Sequence, residues 1–130
     1  MAVSLSGEQL SAITREIVRL KAEHYGRGPT QGKSYLCDEV LFCVLRDGLT
    51  AVEQNLCEHG DHELVRRIRT RFQNNNRRLF EGVVERVTGY RVLTYQSQVL
   101  FDPDNIIEVF FLGGKLEEAA DSVQRALDRY

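Results

Sequence analysis

Several features that would narrow the function of this chain are scarce or missing. The three cysteines, Cys37, Cys43 and Cys57, are odd in number and no pair has CxxC spacing. We therefore expect a reduced, cytoplasmic protein and not a disulfide scaffold. The N-terminus lacks both a basic and an apolar leader region, so we expect no secretory signal. No apolar run is long enough to cross a bilayer, so we expect no direct insertion into a membrane.

The chain also lacks an excess of charge and a recognisable catalytic motif. Lys and Arg number 17 and Asp and Glu number 19, for a formal net charge of -2. Global charge therefore gives no attraction to nucleic acid, which we do not expect as a partner. There is no GxSxG, HExxH, paired catalytic carboxylate or Ser-His-Asp order. An enzyme is accordingly the less favoured class, and no cofactor is expected.

The composition is that of a folded soluble domain. The chain has 130 residues, of which 42% are hydrophobic and 28% charged. A domain of this size buries enough surface to fold without a disulfide or a metal. We predict one domain over residues 1–130.

Helix signals recur along the chain. Ser6 with Gln9, and Thr50 with Glu53, have capping-box spacing and predict helices ending near Tyr25 and near His59. A long helix should follow at 61–89, capped by Asp61 and bent at 74–76, and a last helix should span 115–130. The apolar face predicted for the long helix consists of Val65, Ile68, Phe72, Leu79, Val83 and Val87.

Two segments predict β-hairpins. The first covers 35–45 and turns at Asp38-Glu39, and the second joins strands at 91–101 and 106–112, with Gly113-Gly114 ending the last strand. The resulting order, α-ββ-αα-ββ-α, predicts an α+β fold with a four-stranded, mostly antiparallel sheet covered by helices. Residues 40–45 are apolar on both faces, which favours burial under helices or against a second chain. We therefore expect a homodimer.

The segment Tyr25-Gly26-Arg27-Gly28-Pro29 is the most site-like in the chain. An arginine between two glycines can present its guanidinium and bare amides to an anion. A plain helix stop followed by a tight turn explains the same residues equally well. The residues hypothesised to bind a small anion are Arg27, Gly26, Gly28, Tyr25, Arg71, Ser97 and Gln98.

Two further clusters have competing interpretations. The arginines of the long helix, with Arg67, Arg71 and Arg78 on one stripe, fit an anion surface or a solvated helix face, and the solvated face is favoured. Cys57, His59 and His62 have metal-like spacing, but no second cluster completes a tetrahedral site, so a polar turn is favoured and no metal is expected.

A succession of short motifs resembles the MpsC-like family. The matching residues are Tyr25-Gly-Arg-Gly-Pro29, Leu49-Thr50-x-x-Glu53, Arg71-Phe72, Val84-Glu85, Thr88-Gly89, Ser97-Gln98 and Glu108-Val-Phe. The resemblance spans about 8–112 and excludes the last helix. The resemblance implies a small protein that accompanies membrane machinery, linked to ion or inorganic-carbon transport. The family provides no assigned catalytic residues that could be transferred to this sequence.

Two functional hypotheses follow. The first is a non-enzymatic accessory or regulatory protein that binds a membrane-transport partner and a small anion. The second is an enzyme acting on an anionic small molecule held by Arg27 and Arg71. The missing catalytic constellation favours the first.

Overall fold

The order of helices and strands agrees with the predicted α+β fold. The computed structural model describes residues 2–116 and 127–128. The predicted last helix, 115–130, lies for the most part outside these residues. The observed elements are α1 (Gly7–Tyr25), β1 (Gln31–Cys37), β2 (Val40–Arg46), α2 (Ala51–Glu58), α3 (His62–Thr88), β3 (Tyr90–Leu100) and β4 (Asn105–Lys115).

Local capping signals position the first two helices. Ser6 Oγ accepts a hydrogen bond from Gln9 N at 3.1 Å, and Gln9 Oε1 accepts one from Ser6 N at 2.8 Å. Thr50 and Glu53 form the same reciprocal pair at the start of α2. These predictions are confirmed. Asp61 makes no side-chain capping bond to α3, because its backbone (ψ 39°) departs from the extended geometry that a capping residue adopts; that prediction was wrong.

The four strands form one antiparallel sheet in the order β1-β2-β4-β3. The first hairpin turns at Asp38-Glu39, as predicted. The expected end of β4 at Gly113-Gly114 was wrong, because the strand continues to Lys115, which lies opposite Tyr90 on β3. Pairing with β3 provides partners for the glycine backbone, which outweighs the low strand propensity of glycine.

Helices α1 and α3 pack on one side of the sheet, here called the covered face. Phe80 of α3 stacks on Tyr95 of β3 at a centroid distance of 6.0 Å, and Tyr95 stacks on Phe110 of β4 at 4.6 Å. Ile13 and Ile17 of α1 are fully buried in the same core. Burying large side chains of this kind supplies most of the folding free energy.

The opposite side of the sheet, here called the open face, carries apolar side chains that are only half-buried or exposed. Cross-strand register places Tyr35, Phe42 and Val109 in one row, and Phe111 lies beyond this row. The other apolar members are Val40, Val44 and Ile107. Among the described elements, the helices that contact the sheet do so from the covered face. The prediction that residues 40–45 are buried on both faces is therefore confirmed for the covered face, and burial of the other face against a second chain stays a prediction.

Helix α3 is kinked and rotated relative to the predicted apolar face. Asn76 has non-helical backbone angles (φ -118°, ψ 15°), which confirms the bend expected within 74–76. Ile68 and Leu79 were predicted to be buried but are 45% and 44% exposed. Arg69 and Phe80 take the inward positions instead. The rotation is tolerated because the guanidinium of Arg69 finds a buried carboxylate.

Candidate functional site

The glycines of the predicted anion loop have structural reasons for being glycine. Gly26 adopts the left-handed conformation (φ 77°) and ends α1, with its N–H donating to Ala22 O. A Cβ on Gly28 would lie 3.0 Å from Ala22 Cβ and 3.1 Å from Val18 O. The loop therefore ends the helix and then packs directly against it.

Arg27 clamps the loop that follows β2. Its Nη1 donates to Asp47 O at 2.9 Å and to Leu49 O at 2.5 Å, and its Nη2 pairs with Asp47 Oδ2 at 2.8 Å. The side chain remains 37% exposed. These contacts engage both terminal nitrogens of the guanidinium in holding the backbone, which is the role of a structural clamp. Binding of an anion by Arg27 stays a prediction.

A buried ion pair lies behind the same loop. Arg69 Nε donates to Glu53 Oε2 at 2.6 Å, and Arg69 Nη2 donates to Glu53 Oε1 at 2.5 Å and to Gly48 O at 2.9 Å. Burial alone would raise the pKa of Glu53, but hydrogen bonds from Arg69 and from the Thr50 backbone outweigh burial and lower that pKa. The pair ties α2, α3 and the loop after β2 together.

A second buried charge pair lies in the centre of the covered face. Lys21 Nζ of α1 is 2.7 Å from Glu108 Oε1 of β4, and the Glu108 side chain is fully buried. Tyr95 donates its hydroxyl to Glu108 Oε2 at 2.6 Å. Burial, followed by the charge of Glu108, raises the pKa of Tyr95. The hydroxyl therefore stays protonated and stabilises the carboxylate.

Tyr25 joins the two charge pairs. The Arg69 guanidinium lies 3.9 Å from the centre of the Tyr25 ring, and Lys21 Nζ lies 5.7 Å from it. The Tyr25 ring also contacts the Phe72 ring, at a centroid distance of 4.4 Å. Burial raises the pKa of Tyr25 to about 12, so its phenol is neutral at physiological pH. An aromatic ring between two cations gains cation–π attraction to both.

A small cavity opens between the two charge pairs. Its volume is about 20 Å³, and three of the residues predicted to bind an anion line it, namely Tyr25, Ser97 and Gln98. Lys21 and Arg69 also line it. The structure thus brings together predicted residues from α1 and from β3 that lie more than seventy positions apart in sequence.

The remaining predicted cation lies elsewhere. Arg71 is exposed on the outer side of α3 and lines an open groove of about 840 Å³ together with Arg67. Arg78 is also exposed, so the stripe formed by these three arginines is a solvated face. Arg71 and Arg27 have no hydrogen-bond partner in common among the described contacts. Arg69, two residues before Arg71, lines the cavity instead, together with Arg66.

Sequence reasoning missed the residues that carry the buried charge. Lys21 follows Ile17 by four residues and so falls on the inward face of α1. Glu108 alternates with Ile106 and Phe110 along β4, which places all three on the covered face. A charged residue at an inward position was the available signal. The periodicity was read for its apolar members only, so this signal was not used.

The cysteine and histidine residues show no metal-binding arrangement. Within residues 2–116 and 127–128, no group of three or more His, Cys, Asp or Glu side chains is placed to hold a metal ion. Cys43 is fully buried, and burial raises the pKa of its thiol to about 11. It therefore behaves as a small hydrophobe. The site therefore offers hydrogen-bond donors from cationic side chains and from hydroxyl groups.

Comparison with known proteins identifies the family of this chain and nothing further. Curated proteins and solved structures gave no match to this chain. Within the described residues, no helix has both the length and the apolar character needed to cross a membrane. The sequence profile of the family described as "Na+-translocating membrane potential-generating system (MpsC)" matches residues 6–113. The chain therefore belongs to the MpsC family, which confirms the resemblance found in its short motifs.

Proposed function

We propose that this chain is a non-enzymatic accessory protein that acts by association through the open face of its sheet. The observation that carries the proposal is the apolar centre of that face. Val40, Phe42 and Val44 of β2 lie beside Phe111, Val109 and Ile107 of β4 in direct register. An apolar surface of this kind on a small domain marks an interaction site.

The edges of the open face support the same proposal. Register places Lys33 of β1 beside Val44, and places Gln98, Gln96 and Thr94 of β3 beside the apolar residues of β4. The apolar centre is thus flanked by polar side chains. An apolar core inside a polar rim is the common anatomy of a protein interface.

The first partner that we propose is a second copy of this chain. Two open faces brought together by a two-fold axis would bury Phe42 and Phe111 of each copy at once, in the manner of a β-sandwich. A homodimer also explains why β2 is apolar on both sides. The second partner, which would take the place of the second copy on the open face, is a membrane-transport protein. The family description points to ion transport, and the family resemblance adds inorganic carbon.

Regulation by a small anion is the remaining part of this proposal. Tyr25, Ser97 and Gln98 around the cavity support it, whereas Arg27 is engaged with Asp47 and Leu49. The enzymatic alternative has no specific observation in its favour among the described residues.

The docking proposal is tested with a matched pair of charge substitutions. Phe111→Asp places a carboxylate on the open face, at a residue that is 43% exposed, and Ile68→Asp does the same on α3, at a residue that is 45% exposed. Tagged forms of each are used to capture transport subunits from detergent-solubilised membranes. We expect capture by the wild type and by Ile68→Asp but not by Phe111→Asp. Equal capture by all three forms would show that the open face is not the docking surface.

A further inference from the structure

The cavity beside Arg69 has an unusual lining for its size. Three of its lining residues are cations, Lys21, Arg66 and Arg69, and Thr70 and Ser97 add hydroxyl groups. None of the residues that line it is acidic. Each of these polar side chains can donate a hydrogen bond, so the lining favours an acceptor as its occupant.

One donor at this cavity has no partner. The side chain of Arg69 is only 7% exposed, and its Nη1 makes no hydrogen bond. Because Nε and Nη2 point to Glu53 and Gly48, Nη1 is the nitrogen left to face the cavity. A buried charged donor without an acceptor is costly, so the site calls for one.

Lys21 adds a second incompletely engaged cation. Its Nζ lies 2.7 Å from Glu108 Oε1 and is paired with that carboxylate. An ammonium has three N–H donors, so those not engaged by Glu108 remain available to another acceptor near the cavity.

We infer that the cavity binds one monatomic anion of the halide class, with chloride as the fitting size. Arg69 Nη1 supplies the main hydrogen bond, Lys21 supplies the second charge, and the Ser97 hydroxyl completes the contacts. The volume of about 20 Å³ is that of a small site, which favours a monatomic anion over sulfate or phosphate. Arg66, at 42% exposure, provides a cation at the entrance. The inference rests on the anion-binding part of the proposed function, whose ion it names, and it does not depend on docking at the open face.

Thermal unfolding of the full chain tests the site. The protein is melted in sodium chloride and, at matched ionic strength, in sodium gluconate. We expect Tm in chloride to rise by about 5 °C at a roughly tenfold excess over Kd and to keep rising with the logarithm of the chloride concentration. Gluconate should not reproduce the rise, because it is too large for the cavity.

Two variants assign the effect to this cavity. Ser97→Val fills the space with methyl groups and should abolish the chloride-dependent rise in Tm. Thr94→Val makes the same loss of a hydroxyl on the same strand but on the open face, and should retain the rise. If Ser97→Val does not fold, Arg66→Gln takes its place and should weaken chloride affinity several-fold.

Broadening of the ³⁵Cl NMR line by the protein gives a direct measurement. The wild type and Thr94→Val should broaden the line, and added bromide should reverse the broadening by competing for the site. Absence of broadening in the wild type, or equal broadening in Ser97→Val and Thr94→Val, would overturn the inference and leave a water molecule as the occupant.

Discussion

The two faces of the sheet differ in where their charged side chains lie. The covered face, beneath α1 and α3, contains the fully buried Glu108 and its partner Lys21. Along residues 40–44 and 107–111, the central strands of the open face present apolar side chains such as Phe42 and Val109. A face that is packed against helices normally carries the apolar residues. Here apolar residues occupy both faces. The charge near the centre of the sheet lies on the covered face, whereas on the open face Lys33 and Arg46 lie at the rim.

The comparison shows that a charged side chain can be buried in this fold when an opposite charge pairs with it. Each buried carboxylate on the covered side has a cation within ion-pair distance, Lys21 for Glu108 and Arg69 for Glu53. The charges are tolerated because they are matched. The apolar residues of the open face have no such match within the described chain, which is why we propose that another protein supplies it.

The largest effect should come from breaking the buried pair on the covered face. Lys21→Met leaves Glu108 without its cation and should lower the free energy of unfolding by about 3–5 kcal/mol. Lys21→Met combined with Glu108→Leu removes both charges and should recover most of that loss. Urea unfolding followed by circular dichroism measures both. A single variant within about 1 kcal/mol of wild type would show that the pair is not a determinant of the covered core.

A smaller loss of stability is expected from removing the contacts by which Arg27 holds the loop after β2. Arg27→Ala deletes the bonds to Asp47 O and Leu49 O. Because the side chain is 37% exposed, we expect a loss of about 1–2 kcal/mol, below the full value for bonds to a charged group. The exposed Arg67→Ala is the control and should melt like wild type. Unchanged melting of Arg27→Ala would restore the sequence-based expectation of a free anion-binding arginine.

Acid should weaken the Glu53–Arg69 pair. The pKa of Glu53 is lower in the folded state than in the unfolded chain. Its contribution is therefore complete above the unfolded pKa of about 4.3 and is lost as pH falls through the folded pKa. Glu53→Gln should be less stable at pH 7 but should lose less stability than wild type on acidification from pH 5 to pH 3. Parallel pH profiles of Tm would contradict this assignment.

The elements that were predicted correctly depend on neighbours in sequence. Ser6 with Gln9, the turn at Asp38-Glu39, and the end of α1 near Tyr25 each involve residues within a few positions of one another. Their physical cause is local backbone chemistry, so the sequence contains it directly.

The buried charge network could not be assembled in the same way. Lys21 meets Glu108 across 87 positions, and Arg69 Nε meets Glu53 across 16. Only the packing of α1 and α3 on one face brings these groups together. The apolar period of α3 also misled, because Ile68 is a better core residue than Arg69 in isolation. Tyr25, Ser97 and Gln98 were selected from sequence and do meet at one cavity.

The most direct test of the central claim is the mass of the protein in solution. Light scattering at micromolar concentration should give about twice 14.9 kDa for the wild type and for Ile68→Asp. Phe111→Asp should give a mass near 14.9 kDa with unchanged circular dichroism, because a carboxylate on the open face would have to lose its hydration in the interface. A wild-type mass near 14.9 kDa at every concentration, or the same dimer mass for all three proteins, would contradict association through the open face.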